Sequence, residues 1–164
     1  MPLKPLEGFS PPVAPVALYE DTHLLVLSKP AGLLSQSDIS EQFSLVDGLR
    51  LHFGRHYVGL VHRLDRNTSG LMVVAKRSKS AQRLTDALQA GELIRKYTAW
   101  LDGPSPTPSP WTWRDGLIRD ESTRKSRIVA LNAPHSKSAL LTGQALGTWR
   151  WKDWSGAVAA FELE

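Results

Sequence analysis

The 164-residue chain contains no cysteine. That absence excludes disulfide bonds, thiolate nucleophiles and cysteine-ligated metals. The chain also lacks an apolar run near the roughly 20 residues that a membrane-spanning helix requires. Its N-terminus is broken by prolines and has no signal-peptide core. We therefore expect a cytoplasmic protein that does not associate with membranes.

Glycine-rich loops of the kinds that cradle nucleotide phosphates are also missing, so no cofactor is expected. His52 and His56 have a spacing found among metal ligands, but no third ligand accompanies them. His62, Asp65 and Ser69 are the residue types of a hydrolase triad. They lack the G-x-S-x-G elbow, and three partners within eight residues would converge with difficulty. Both alternatives stay open, and neither is favoured.

The composition is that of a soluble globular protein, with 41% hydrophobic and 22% charged residues. Its length suits one domain, with room for two lobes. Between Arg55 and Lys96 there are nine basic residues and three acidic ones. Such an excess favours a polyanionic partner such as RNA, and a solvated charged face is the alternative.

The residue patterns predict a mixture of strands and helices. Residues 17–32 are typical of strand, turn and strand, and a strand is predicted at 93–103. Helices are predicted at 44–54 and 78–92. A proline-rich leader at 1–16, a proline-rich spacer at 104–110 and short strands towards the C-terminus complete an α+β arrangement. In this arrangement, residues 17–164 form the domain.

All six tryptophans lie from Trp100 onward, and four of them form i, i+2 pairs. Aromatic side chains beside a basic surface can stack on nucleic-acid bases. The same spacing also places two rings on one face of a strand, where they pack against the protein. Packing is the preferred interpretation.

The stretch "GLVHRLDRNTSGLMVVAKR", residues 59–77, joins a very polar segment directly to an apolar strand. Within it Asp65 lies between Arg63 and Arg66. Neighbouring guanidinium groups favour an ionised carboxylate, which is suited to nucleophilic attack or proton abstraction. The alternative is an ion pair that only orders the loop.

Four segments resemble motifs of one enzyme family. "HRLDRNTSG" matches every defined position of the H-R-L-D-x-x-T-S-G motif of RluA-type pseudouridine synthases. "YEDTHLLVLSKPAG" resembles their opening strand pair, "RKYTAWLDG" their K-x-Y-x-A strand with arginine replacing lysine, and "SKSALL" a weakened G-K-x-A-x-T segment. The resemblance runs in order from about Leu18 to Glu164. The family's following T-G-R-x-H-Q-I-R segment has no counterpart before the chain ends.

The resemblance implies a pseudouridine-synthase-like α+β fold: a mixed, mainly antiparallel sheet with flanking helices, without its final strands. It implies an isomerase that converts specific uridines in ribosomal or transfer RNA to pseudouridine, with Asp65 as catalytic residue and Tyr97 against the uracil. RNA-binding residues would be His62, Arg63, Arg66, Lys76 and Arg77. No obligatory protein partner is expected. The alternative is a catalytically impaired RNA-binding or chaperone protein of the same fold.

Overall fold

The computed structural model describes residues 6–9, 14–37, 42–54, 57–104, 106–107, 109–123 and 125–163. Contacts divide the chain into two units, Met1–Glu92 and Leu93–Glu164. His56, much of the predicted leader and two spacer positions lie outside the described residues. Within the leader, Leu6 is buried and its N–H donates to the Pro15 carbonyl at 2.9 Å.

The first unit is built on a four-stranded antiparallel sheet. Its strands are β1 (Val16–Glu20), β2 (Leu24–Lys29), β3 (Gly59–Leu60) and β4 (Gly70–Ala75). The order β1-β2-β4-β3 puts the apolar strands β2 and β4 at the centre. The predicted strand, turn and strand at 17–32 is confirmed by β1 and β2.

The core of this unit follows from the two-residue period of its central strands. Leu25, Leu27 and Lys29 alternate along β2 and are fully buried. Met72 and Val74 of β4 are fully buried as well. A lysine therefore occupies a position that the strand period assigns to the core.

Two helices belong to the first unit, α1 (Leu45–Phe53) and α2 (Ser78–Gln89). Helix α1 begins with a capping box, in which Ser44 and Asp47 each bond the other's backbone N–H, and ends at Gly54 with a left-handed φ of 61°. Both helices confirm the sequence prediction. No described helix is long and apolar enough to cross a membrane.

The second unit is a five-stranded antiparallel sheet. The strands are β5 (Arg95–Asp102), β6 (Trp111–Asp120), β7 (Lys125–Val129), β8 (Lys137–Trp151) and β9 (Trp154–Leu163). They are arranged in the order β5-β9-β8-β6-β7. The core joins Trp111, Ala159 and Phe161, with the rings of Trp111 and Phe161 meeting edge to face at 6.1 Å.

The α+β class with mainly antiparallel pairing is confirmed, and the strands are divided between two sheets.

In the second sheet, the turn between β6 and β7 depends on one carboxylate. Asp120 accepts hydrogen bonds from the Ser122 N–H at 2.9 Å, the Ser122 hydroxyl at 2.6 Å and the Thr123 N–H at 3.2 Å. These bonds lower the pKa of Asp120 to about 2.

Replacing Ser44 with alanine removes the capping box of α1, and we expect the first unit to lose about 1 kcal/mol of stability. Urea unfolding followed by circular dichroism at 222 nm measures this loss, because both described helices belong to that unit. The control is Ser80→Ala inside α2, where alanine is the better helix former and no loss is expected. Equal midpoints for Ser44→Ala and the parent would contradict the capping argument.

The Asp120 turn should resist acid. Because the folded pKa lies below the ordinary value of 3.8, the carboxylate stabilises the turn above pH 3.8, and this contribution is lost as the pH falls through about 2. An NMR titration should give a midpoint near pH 2 for the Ser122 and Thr123 amide shifts. Asp120→Asn should abolish that titration. A midpoint near 3.8 in the parent would mean that the hydrogen bonds do not form.

Candidate active site

Asp65 lies in the loop at residues 61–69, which we call the aspartate loop and which leads directly into β4. Its side chain is exposed, and its carbonyl accepts a hydrogen bond from the Thr68 N–H at 3.1 Å. Gly70, the first residue of β4, follows the loop with a φ of 149°, a backbone conformation that side chains disfavour. The loop therefore turns sharply after presenting a carboxylate to solvent.

Lys29 supports the aspartate loop from the protein interior, and its side chain is fully buried. Its ammonium donates to the carbonyls of Leu33 at 2.8 Å, Pro30 at 3.0 Å and Arg66 at 3.3 Å. Burial lowers the pKa of Lys29, and the negative charge of Asp65 opposes that shift. One cation thus joins the turn at residues 29–33, here called the lysine turn, to the residue that follows Asp65.

Gly32 and Arg66 reinforce the same junction with two hydrogen bonds. The Gly32 N–H donates to the Arg66 carbonyl at 2.8 Å, and Arg66 Nε donates to the Gly32 carbonyl at 3.1 Å. Gly32 has a φ of 90°, which favours glycine at this position. Arg66 therefore has an oriented guanidinium on an exposed side chain.

Two further side chains fix the beginning of the aspartate loop. The buried hydroxyl of Ser35 bonds both backbone groups of Leu64. His62 accepts a hydrogen bond from the Val73 N–H at 3.1 Å through its Nε2 atom. In this contact the lone pair of Nε2 is occupied by a backbone N–H. This geometry gives His62 a structural link to β4 and removes Nε2 as a base for a hydrolase.

The predicted RNA-binding residues of this unit fall into two groups. His62, Arg63 and Arg66 belong to the aspartate loop, where both arginines are exposed. Lys76 and Arg77 follow the opposite end of β4, about 20 Å away along the strand. A polynucleotide is long enough to reach both groups, whereas a small ligand is not.

The ammonium of Lys76 forms hydrogen bonds and a ring contact within the protein. It donates to Glu20 Oε1 at 2.6 Å and to the Asp21 carbonyl at 2.7 Å, and it lies 5.3 Å from the ring centre of Phe53. Arg77 donates through Nε to the Thr22 carbonyl at 3.2 Å and stays exposed. Of this pair, Arg77 is better placed to meet a phosphate.

Tyr97 belongs to the second unit, where it lies on β5 opposite Phe161 of β9. It is half-buried and packs against the core of that sheet. Asp65 and Tyr97 thus belong to different units, and their action on one uracil stays a prediction.

Tryptophan packing is confirmed in part. Trp111 is buried, and Trp149 Nε1 donates to the Leu101 carbonyl at 3.1 Å. Trp100 remains 71% exposed, with its ring 5.6 Å from that of Trp149.

Among the described residues, no three histidine or carboxylate side chains group as metal ligands.

Sequence reasoning did not identify the structural roles of Lys29 and Ser35. Lys29 alternates with Leu25 and Leu27 along β2, so its side chain lies on the same face of the strand as theirs, and this spacing predicts burial. Ser35 follows two leucines in "GLLSQ", and a hydroxyl in a buried segment requires a hydrogen-bond partner. Neither signal identifies the contact to the aspartate loop, because the Arg66 carbonyl lies 37 positions and Leu64 lies 29 positions away in the sequence.

Known proteins resemble this chain both in a family model and in individual sequences. The model of the RNA pseudouridylate synthase family matches residues 23–145. Ribosomal large subunit pseudouridine synthase C of Escherichia coli is 39% identical over 135 residues, which cover 82% of this chain and 36% of that protein. Its counterpart in Buchnera aphidicola is 37% identical over 130 residues, with 75% and 39% covered. The chain thus spans less than half the length of these relatives.

Solved structures agree on the fold. Human RNA pseudouridylate synthase domain containing 1 superposes with a TM-score of 0.74 at 19% identity, over 94% of this chain and 62% of that one. Human RNA pseudouridylate synthase domain containing 4 gives 0.69 at 21% identity, over 90% and 58%. At these identities the likeness concerns the fold alone.

Replacing Lys29 with methionine should lower the stability of the first unit by about 2 kcal/mol. Three carbonyls lose their donor, and the removal of a buried charge offsets only part of that cost. Urea unfolding at 222 nm measures the change, and Lys79→Met on exposed α2 surface should stay within about 0.5 kcal/mol of the parent. A Lys29→Met protein as stable as Lys79→Met would show that the hydrogen bonds of the Lys29 ammonium to the lysine turn and the aspartate loop do not stabilise the unit.

Proposed function

The chain belongs to the RNA pseudouridylate synthase family, and on that premise we propose that it is an RNA pseudouridine synthase acting through Asp65. The observation that carries the proposal is the exposed carboxylate of Asp65 on a loop whose backbone is bonded from below by Lys29 and Ser35. A catalytic group must be held close to its productive geometry by its supporting residues.

Pseudouridine formation breaks the N1–C1′ bond of a uridine, turns the uracil and forms a C5–C1′ bond. The proton at C5 leaves, N1 regains one, and no electrons are gained or lost. Asp65 starts the reaction, either as the nucleophile or as the base that opens a glycal route, and both routes fit an ionised carboxylate. Tyr97 assists removal of the C5 proton. These steps require no cofactor.

A stacked uridine must leave its helix or loop before Asp65 can reach it. Flipping costs a few kcal/mol, which contacts to the pocket and the phosphates offset. We assign Arg63 to the gap left by the flipped base and Arg66 to a neighbouring phosphate. His62 supports the loop at the RNA surface, while Lys76 and Arg77 belong to a more distant part of the RNA.

Large-subunit ribosomal RNA is the substrate that the names of the bacterial relatives support. Transfer RNA is the alternative, since both RNAs contain structured uridines. Action on either RNA implies a cytoplasmic protein with RNA as its partner. The competing function is an RNA-binding or chaperone protein of this fold that has lost turnover, and the same exposed arginines would serve it.

Asp65→Asn should abolish isomerisation while preserving RNA binding. The measurement is tritium release from ribosomal and transfer RNA transcripts labelled at uridine C5, with affinity measured in parallel by filter binding. We expect a rate loss of about 10³-fold or more, because the amide neither attacks nor accepts a proton. Affinity should stay equal or rise slightly, since a negative charge is removed from an RNA surface.

Asp86→Asn is the matched control, because it makes the same charge change on the exposed surface of α2. Its release rate should equal that of the parent. Release that persists in Asp65→Asn would refute the catalytic assignment. A parent chain that binds RNA without releasing tritium would establish the RNA-binding alternative.

A further inference from the structure

Ser35 makes an unusual pair of contacts to a residue 29 positions later. Its hydroxyl donates to the Leu64 carbonyl at 2.5 Å and accepts from the Leu64 N–H at 3.2 Å. Ser35 is 5% exposed and Leu64 is 7% exposed, so water does not readily replace these bonds. One hydroxyl therefore satisfies both backbone groups of the residue before Asp65.

These contacts determine the direction in which Asp65 leaves the backbone. The Leu64 carbonyl belongs to the planar peptide group that also contains the Asp65 nitrogen, so orienting one end orients the other. On the far side, Thr68 bonds the Asp65 carbonyl and Lys29 bonds the Arg66 carbonyl. The backbone is thus anchored before and after Asp65, and the side-chain torsions remain its main freedom.

The site accepts serine for specific chemical reasons. A hydroxyl is the smallest side-chain group that both donates and accepts a hydrogen bond. The Ser35 oxygen also lies 3.8 Å from the Met72 sulfur in the buried sheet, which leaves little space for a larger group. Alanine at this position would leave the Leu64 N–H and carbonyl without these partners.

We propose that Ser35 is a positioning residue for Asp65 in the isomerisation reaction, a role that rests on the proposed function. Misplacement of a reacting group by about 1 Å can cost 100-fold in rate. Ser35 does not touch the substrate, so its loss slows the chemical step and leaves RNA affinity intact. This pattern distinguishes positioning from binding.

The test compares kcat and KM for tritium release by Ser35→Ala and Ser37→Ala, at a temperature well below the unfolding midpoint of each. Ser37 is the matched control, because its hydroxyl bonds Asp47 and Ser44 at the start of α1 and not the aspartate loop. We expect Ser35→Ala to lower kcat by about 10- to 100-fold with KM within twofold of the parent. Ser37→Ala should change neither value.

Ser35→Cys provides a second variant, in which a slightly larger thiol keeps a weak donor and acceptor. Its kcat should be lower than that of the parent, and this comparison can be made even where the alanine variant proves too unstable to assay. An unchanged kcat in both Ser35 variants would overturn the inference, and so would a loss confined to KM. If Asp65→Asn abolishes release while Ser35→Ala does not affect it, the positioning role fails and the proposed function stands. Persistent release by Asp65→Asn would instead reject the proposed function.

Discussion

The buried ammonium of Lys29 is the interaction on which the arrangement of the first unit depends. A charged group removed from water requires compensation, which here comes from three backbone carbonyls and from the nearby charge of Asp65. Two of these carbonyls belong to the lysine turn and the third follows Asp65. The ammonium is satisfied only when turn and loop are both in place, so the cost of burying it couples their conformations.

Strand pairing and hydrophobic packing in the rest of the unit hold the lysine turn next to the aspartate loop. Strand β2 pairs with β4 so that Lys29 lies opposite Gly70, which places the end of the aspartate loop beside the start of the lysine turn. The lysine turn and the aspartate loop extend from the ends of β2 and β4. The side chains of Leu25 and Leu27 in β2 and of Met72 in β4 are buried and hold these strands in the core. The contact between Ser35 and Leu64 then adds a second attachment, independent of charge. Hydrophobic burial sets the position of the segments, and the polar contacts set the orientation of the loop backbone.

The sequence was most informative where the interactions are local. The strand, turn and strand at 17–32 and the helices at 44–54 and 78–92 depend on residues within a few positions of one another, and their predictions hold. The contacts that shape the site join distant positions: Ser35 with Leu64, or Lys76 with Glu20. A residue pattern contains no measure of such proximity, which follows only from strand pairing. The fold class could therefore be inferred from the sequence, whereas the supports of Asp65 could not.

The nature of these supports favours catalysis over simple RNA binding. A binding surface gains affinity from exposed cations, and a carboxylate among them repels the phosphates it would meet. Arg63 and Arg66 suit either function, since both are exposed beside the aspartate loop. A protein that only bound RNA would gain nothing from an exposed Asp65 whose loop is anchored by a buried lysine and a buried serine. An enzyme that must bring one carboxylate to one ribose gains accuracy from each anchor.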